Sequence, residues 1–118
     1  MATLYEKIGG EPAIRIAVEK FYDRVLADNT VNHFFIETNM DKQRDHQTKF
    51  LSYALGGPNQ YGGTSMEKAH EGMNIQPEHF QAIAHHLQQT LEELNVADED
   101  IAIVMEKIGG LAPHIIEK

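Results

Sequence analysis

The chain contains no cysteine. Disulfides, thiolate nucleophiles, iron–sulfur clusters and thiolate zinc sites are therefore excluded together. A cysteine-free chain fits a reducing compartment, and the cytoplasm is the expected location. No apolar run approaches the roughly 18 consecutive residues of a membrane span. The first residues, MATLYEKIGG, lack a basic segment followed by an apolar one, so a secretory signal is not expected. Basic residues are also scarce. Ten Lys and Arg stand against 18 Asp and Glu, a formal net charge of −8. Nucleic acids and anionic membranes bind basic patches, so neither is an expected partner. The plainest use of such a charge is solubility. There is no HExxH motif and no i, i+4 histidine pair, which argues against a zinc hydrolase. No window alternates apolar and polar residues as a half-buried strand does. Repeats, linkers and low-complexity tracts are absent as well.

What remains is an ordinary composition for one globular domain over residues 1–118, with 42% hydrophobic and 24% charged residues. The expected class is all-α, with helices separated by glycine and proline. Pro12 suits a first helical turn, and Ile14, Val18, Phe21, Tyr22 and Val25 form an amphipathic run to about Ala27. Asp28-Asn29-Thr30 has turn chemistry. A short apolar cluster, Val31 to Ile36, leads to Asn39, a cap for a helix over 41–55. Gly56-Gly57-Pro58 stops that helix. Residues 56–72 hold five of the nine glycines, so no more than a turn around Met66–His70 is expected there. Pro77 opens the next helix, with Phe80, Ile83, Ala84, Leu87, Leu91 and Leu94 in phase. Asp98 is expected to cap a last helix carrying Ile101, Val104, Met105, Ile108, Leu111, Ala112 and Ile115, weakened in its middle by Gly109-Gly110.

The helix over 41–55 has an unusual face. Gln43, His46, Gln47, Phe50, Leu51 and Ala54 recur at helical spacing and share one side. Its second half is apolar, as a core-facing stripe should be. Its first half carries two amides and an imidazole, and burying these without partners would cost roughly 1–3 kcal/mol each. That end either faces water or meets something polar inside. His46 alone reads as a solvated helix residue, but its place between two inward glutamines makes a pocket residue an equal reading. His33, His85, His86 and His114 read as surface residues, and the adjacent His85 and His86 cannot both face one ion on a helix. His70 stands on a short glycine-flanked segment where little helix packing competes for it. Tyr22 occupies a core position, either as a buried tyrosine bonded to a backbone carbonyl or as a donor aimed at a ligand.

The segments LYEKIGGEPAI, FYDRVLAD, HFF, MDKQRDHQTKFL, LGGPNQYGG and MEKAHEGMNI follow one another in order. Together they resemble the group I truncated haemoglobins of cyanobacteria, ciliates and other microbes, from about Leu4 to Val96 and more weakly to the end. The resemblance implies a two-over-two helical sandwich around haem b, with a very short first helix and the proximal helix reduced to a loop and one turn. His70 matches the proximal iron ligand. Tyr22 matches the distal tyrosine that hydrogen-bonds dioxygen, and Gln43 and Gln47 match the two distal amide positions. His46 matches a position that supplies a sixth iron ligand in some cyanobacterial members. Phenol and amide donors favour dioxygen, which takes negative charge from ferrous iron, over a neutral ligand. Phe34, Phe35, Phe50, Leu51, Met66, Phe80, Ile83 and Leu87 would form the haem's apolar wall, with Tyr61 counted beside them. Lys42 is placed to meet a propionate, though an exposed lysine is an equally plain reading. Some relatives bond a last-helix histidine covalently to haem. Here Pro113 occupies that position and His114 follows it, a rotation of about 100° on a helix, so the link is not expected.

The leading expectation is thus a monomeric haem protein that reversibly binds dioxygen, carbon monoxide and nitric oxide. Reaction of held dioxygen with nitric oxide is a further possibility and needs a reductase partner. Electron transfer or redox sensing is the competing class, favoured if His46 closes the sixth position. A haem-free helical interaction domain is the third.

Overall fold

The computed structural model describes residues 3–57 and 75–116, leaving aside the side chain of His114. Tyr61, Met66 and His70 lie outside the described residues. Six α-helices appear among those described, with no strand between them. α1 (Leu4–Ile8) is a single short helix, capped by Thr3, whose hydroxyl accepts the Glu6 N–H at 3.2 Å. α2 (Gly10–Leu26) follows at once, because Gly9 sits at φ +121°, a conformation that side chains rarely adopt. The expected stripe is the buried face of α2: Ile14, Ala17, Val18, Phe21, Tyr22 and Val25.

Asp28 turns the chain after α2. Its carboxylate accepts the Thr30 N–H at 2.9 Å, and its carbonyl accepts the N–H groups of Val31 and Asn32 at 3.1 and 2.9 Å. A 3-10 turn over Asn32–Phe35 holds the apolar cluster. Asn39 then caps α3 (Met40–Ala54), its side-chain oxygen accepting from Asp41 N and Lys42 N. Such a cap contributes about 1 kcal/mol, and it also sets the phase in which the helix begins.

α4 spans Pro77–Glu93, with Pro77 in its first turn as expected. Gln76 and His79 cap its start reciprocally, and the Gln76 N–H donates to His79 Nδ1 at 3.1 Å. It ends where Asn95 takes φ +63° and the Val96 N–H reaches back to the Leu91 carbonyl. α5 (Asp98–Gly110) corrects the sequence expectation at its start. Ala97 is the cap, and Asp98 is already helical. Asp98, Glu99 and Asp100 fill the first turn, where their charge meets the positive end of the helix dipole. The far end is corrected too. The helix stops at Gly110, and α6 (Ala112–Ile115) is a separate turn. Ile116 then makes one isolated parallel bridge with Ile75.

Two helix pairs, α2 with α3 and α4 with α5, stack so that α2 crosses α4 and α3 reaches α5. This is the two-over-two arrangement. The core between them joins the α2 stripe to Phe50, Leu51, Leu87, Leu91, Ile101, Val104 and Ile108. No helix among the described residues is long and apolar enough to cross a membrane.

Two glycines should respond oppositely to alanine. A Cβ on Gly57 would stand 2.7 Å from Tyr5 Cδ2 and 2.9 Å from the Ser52 carbonyl oxygen. A Cβ on Gly109, inside α5, would meet nothing within 4 Å. Gly57→Ala should therefore lower unfolding stability by about 1–3 kcal/mol, as overpacking does. Gly109→Ala should raise it by about 0.5–1 kcal/mol, the helical advantage of alanine. Urea unfolding of the two variants checks the pair, and shifts of the same sign would contradict it.

Candidate functional site: a cavity with one polar end

The α3 face resolves the ambiguity in its sequence. Phe50, Leu51 and Ala54 are buried in the core, while Gln43 and Gln47 are half-buried and His46 is exposed. All three polar residues line a cavity of about 450 Å³. That volume lies within the roughly 300–1,000 Å³ of small-molecule and cofactor sites. So the polar half-stripe meets neither dry core nor open water alone. His46 both lines the cavity and reaches the surface.

Tyr22 brings the second helix into the same end. It is 2% exposed, and its ring packs edge-on against Phe21 and Phe35, with centroids 5.0 and 5.7 Å away. Its hydroxyl oxygen accepts a hydrogen bond from Gln43 Nε2 at 2.9 Å. Across the α2–α3 seam its hydroxyl thus has a side-chain amide as a donor, a contact that neither reading of Tyr22 anticipated. A phenol that accepts such a bond becomes a better donor itself, because hydrogen bonds in series polarise one another.

The rest of the lining is apolar but for Thr38. Phe34, Phe35, Phe50, Phe80, Ile83 and Leu87, all expected there, line it. Phe21, Ile75, Ala84, Ile108 and Ile115 join them, and Thr38 adds a hydroxyl. These additional residues come from six places along the chain, so no single periodic stripe reveals them. Leu51 stands apart from these. It is 1% exposed and belongs to the core, outside the lining. One residue beyond Phe50, it is rotated about 100° around α3 and turns away from the cavity. Lys42, one residue before Gln43, is exposed and also outside the lining. The lining suits an apolar ligand with polar contacts at one end.

Two further histidines have structural roles. His86, expected at the surface, is only 16% exposed, and its Nε2 lies 2.7 Å from Asp28 Oδ2. Its neighbour His85 points outward, as does His33. His79 escaped notice in the sequence and is the reciprocal cap of α4, packed edge-on to Phe34 at 5.0 Å. The Gln-x-x-His spacing at Gln76 was the signal available. Pro113 is exposed on α6. Among the described residues, no group of three or more His, Asp or Glu side chains could hold a metal ion by itself.

A family model described as bacterial-like globin matches residues 3–117. A group 1 truncated hemoglobin of Tetrahymena pyriformis is 55% identical over 96 residues, covering 81% of this chain and 79% of that protein. One from Synechocystis is 47% identical over 116 residues, covering 95% and 94%. The crystal structure of truncated hemoglobin from Tetrahymena pyriformis in its Fe(III) form superposes with a TM-score of 0.90 at 48% identity, over 99% of this chain and 100% of that one. The 2/2 hemoglobin of Synechococcus, in the cyanomet state with covalently attached heme, superposes with a TM-score of 0.88 at 45% identity, over 98% of each chain.

Two carboxylates around this frame generate a pH dependence. The His86 hydrogen bond, with a second from the Thr30 backbone, holds Asp28 below the ordinary 3.8. The Arg15 guanidinium, helped by Lys49, does the same for Asp45 on the α2–α3 seam. Near that pH the unfolded chain binds more protons than the folded one, so stability rises with pH there. The contribution is full above the unfolded value of 3.8 and is lost as pH falls through the lowered folded values. Asp28→Asn and Asp45→Asn should each flatten the acid limb of a stability-against-pH curve and leave its neutral region level. An acid limb as steep as the parent's in both variants would refute the assignment.

Proposed function

This chain belongs to the bacterial-like globin family, as a group 1 truncated haemoglobin and hence a haem globin, and we propose that it binds dioxygen reversibly at haem b held by His70. The observation that carries this is the 2.9 Å bond from Gln43 to Tyr22 at the polar end of an otherwise apolar cavity. The described residues fit the group. Phe34, Phe35, Phe50, Phe80, Ile83 and Leu87 offer a macrocycle apolar faces and keep water away. Haem, when bound, supplies ferrous iron, which puts more negative charge on dioxygen than on carbon monoxide.

The chain's own part is selection. Gln43 donates to Tyr22 and so directs the phenol's proton away from the amide, toward other acceptors. Gln47 stands one turn further along α3 on the cavity wall. A phenol and an amide on one side of an apolar space favour the more charged of two similar ligands. Carbon monoxide and nitric oxide are further ligands under this reading. Consumption of nitric oxide by held dioxygen would draw on an external reductase to restore the ferrous state. A second reading comes from His46, which lines the same cavity. If its imidazole takes the sixth position, the protein favours electron transfer or redox sensing, and gas must displace it.

Absorption spectra test both histidines. The purified chain should take up one haem, and His70→Ala should abolish that stoichiometry or alter the iron spectrum visibly. Ferrous protein free of gas should be six-coordinate and low-spin, becoming five-coordinate in His46→Leu with faster gas binding. Unchanged haem content and spectrum in His70→Ala would remove the proximal assignment. A high-spin parent spectrum at neutral pH would remove His46.

Gas release tests the tyrosine. A hydrogen bond to a charged or strongly polarised acceptor contributes about 1.5–3 kcal/mol, and each 1.4 kcal/mol is about tenfold. Tyr22→Phe should therefore speed dioxygen dissociation by about one to two powers of ten and change carbon monoxide dissociation little. Gln43→Leu should act in the same direction, and much of the tyrosine's effect should vanish in that background. Equal effects on both gases would instead mean altered packing.

A further inference from the structure

The corner between α2 and α3 supplies one wall of the cavity through Phe34, Phe35 and Thr38, and α4 supplies another through Phe80, Ile83 and Leu87. Side chains tie the two walls at two points. At the start of α4, His79 meets Phe34 edge-on at 5.0 Å and His33 at 5.7 Å between ring centroids. Two turns later, on the same face of the helix, His86 Nε2 donates to Asp28 Oδ2 at 2.7 Å. Ile83, between the two histidines on that face, lines the cavity.

The two ties differ in kind. Ring contacts tolerate sliding, whereas a short hydrogen bond fixes a distance and a direction. Asp28 is itself held, because its other carboxylate oxygen accepts the Thr30 N–H at 2.9 Å and its carbonyl accepts from Val31 and Asn32. Asn32 opens the turn that carries Phe34 and Phe35. An ionised carboxylate only accepts, so the ring nitrogen facing it must donate. His86 Nδ1 is buried with no partner among the described residues. The ring's described hydrogen bond is therefore the one to Asp28.

We propose that the Asp28–His86 hydrogen bond sets the spacing between the Phe34–Phe35 wall and the α4 wall, and that both are positioning residues for retention of haem in the cavity. The inference rests on the reading of this cavity as the haem seat. Neither residue lines the cavity, so neither acts on the gas directly. They act through the aromatic walls.

Haem transfer from the ferric holoprotein to an excess of an apo-globin acceptor tests it. His86→Leu should release haem about tenfold faster, the equivalent of about 1.4 kcal/mol. His86→Gln, whose amide can still donate to Asp28, should stay within about twofold of the parent. Asp28→Ala should match His86→Leu, and the double variant should be no faster than either. Release at the parent rate in both His86→Leu and Asp28→Ala overturns the proposal. So does a glutamine variant as fast as the leucine one, because lost ring volume would then be the cause. Additive effects in the double variant overturn it as well. The parent is measured first: failure to hold one haem per chain would defeat the haem reading itself, a result distinct from variants that hold haem and release it at the parent rate.

Discussion

A polar half-helix inside a small all-α frame has to be satisfied somewhere, and the bond from Gln43 to Tyr22 is where this chain does it. Tyr22 is 2% exposed on the buried α2 stripe, so its hydroxyl needs a partner within the protein. Gln43 comes from α3 and reaches it at 2.9 Å. The two helices therefore cannot close on each other with apolar side chains alone at this end. Leu51 and Ala54 pack into the core at one end of α3, while Gln43, His46, Gln47 and Phe50 line the cavity. The polarity of the site is thus a consequence of where along α3 the stripe changes character.

That outcome depends on helical phase, which is set locally. Asn39 accepts from both Asp41 N and Lys42 N, fixing the first helical residue of α3. A start one residue later would turn every side chain by about 100° and carry Gln43 and Gln47 off the cavity wall. The Phe50 and Leu51 pair shows how fine this is, since adjacent residues divide between cavity and core. At the other end of α3, Gly57 admits Tyr5 at a distance that excludes a Cβ, so α1 closes over the helix terminus. Arg15 and Asp45 add an exposed ion pair across the α2–α3 seam at 3.2 Å. Exposed pairs of that kind contribute little, so the part-buried amide–phenol bond is the stronger tie between the two helices.

Much of this was legible in the sequence, for reasons that are local. The stripes of α2 and α4, the Asn39 cap and the amides on α3 are read from spacings of three and four residues. What was illegible is non-local or turns on a single residue. His85 and His86 are indistinguishable as letters, and adjacency says only that they face different ways. Which one turns inward depends on Asp28, 58 residues earlier in the chain. Ile75, Ile108 and Ile115 reach the cavity from separate elements, and a one-dimensional pattern has no means of joining them. Asp98 looked like a cap because aspartate favours that position, but acidic residues also favour the first turn, and three in a row occupy it. Gly109-Gly110 signalled weakness without saying whether the helix would bend or end.

A cofactor held in this cavity would enter the energetics of the fold. Phe34, Phe35, Phe80 and Ile83 are only partly buried, although they pack against the core. Apolar surface left facing a cavity contributes less than the same surface in close contact, since dispersion and dehydration both require a neighbour. A ligand that fills the space between the corner and α4 completes those contacts in the folded state alone. By linkage, it stabilises that state by an amount that grows with its concentration relative to its dissociation constant. The residues that set the spacing of the walls therefore influence two quantities together, how well the ligand is held and how stable the loaded chain becomes. The amide–phenol pair sits outside that coupling in one respect. Its bond joins two protein groups, so the polar end of the cavity is organised by the helix pair itself. Under the proposed reading, selection among gases belongs to that polar end and retention of the cofactor to the spacing of the aromatic walls.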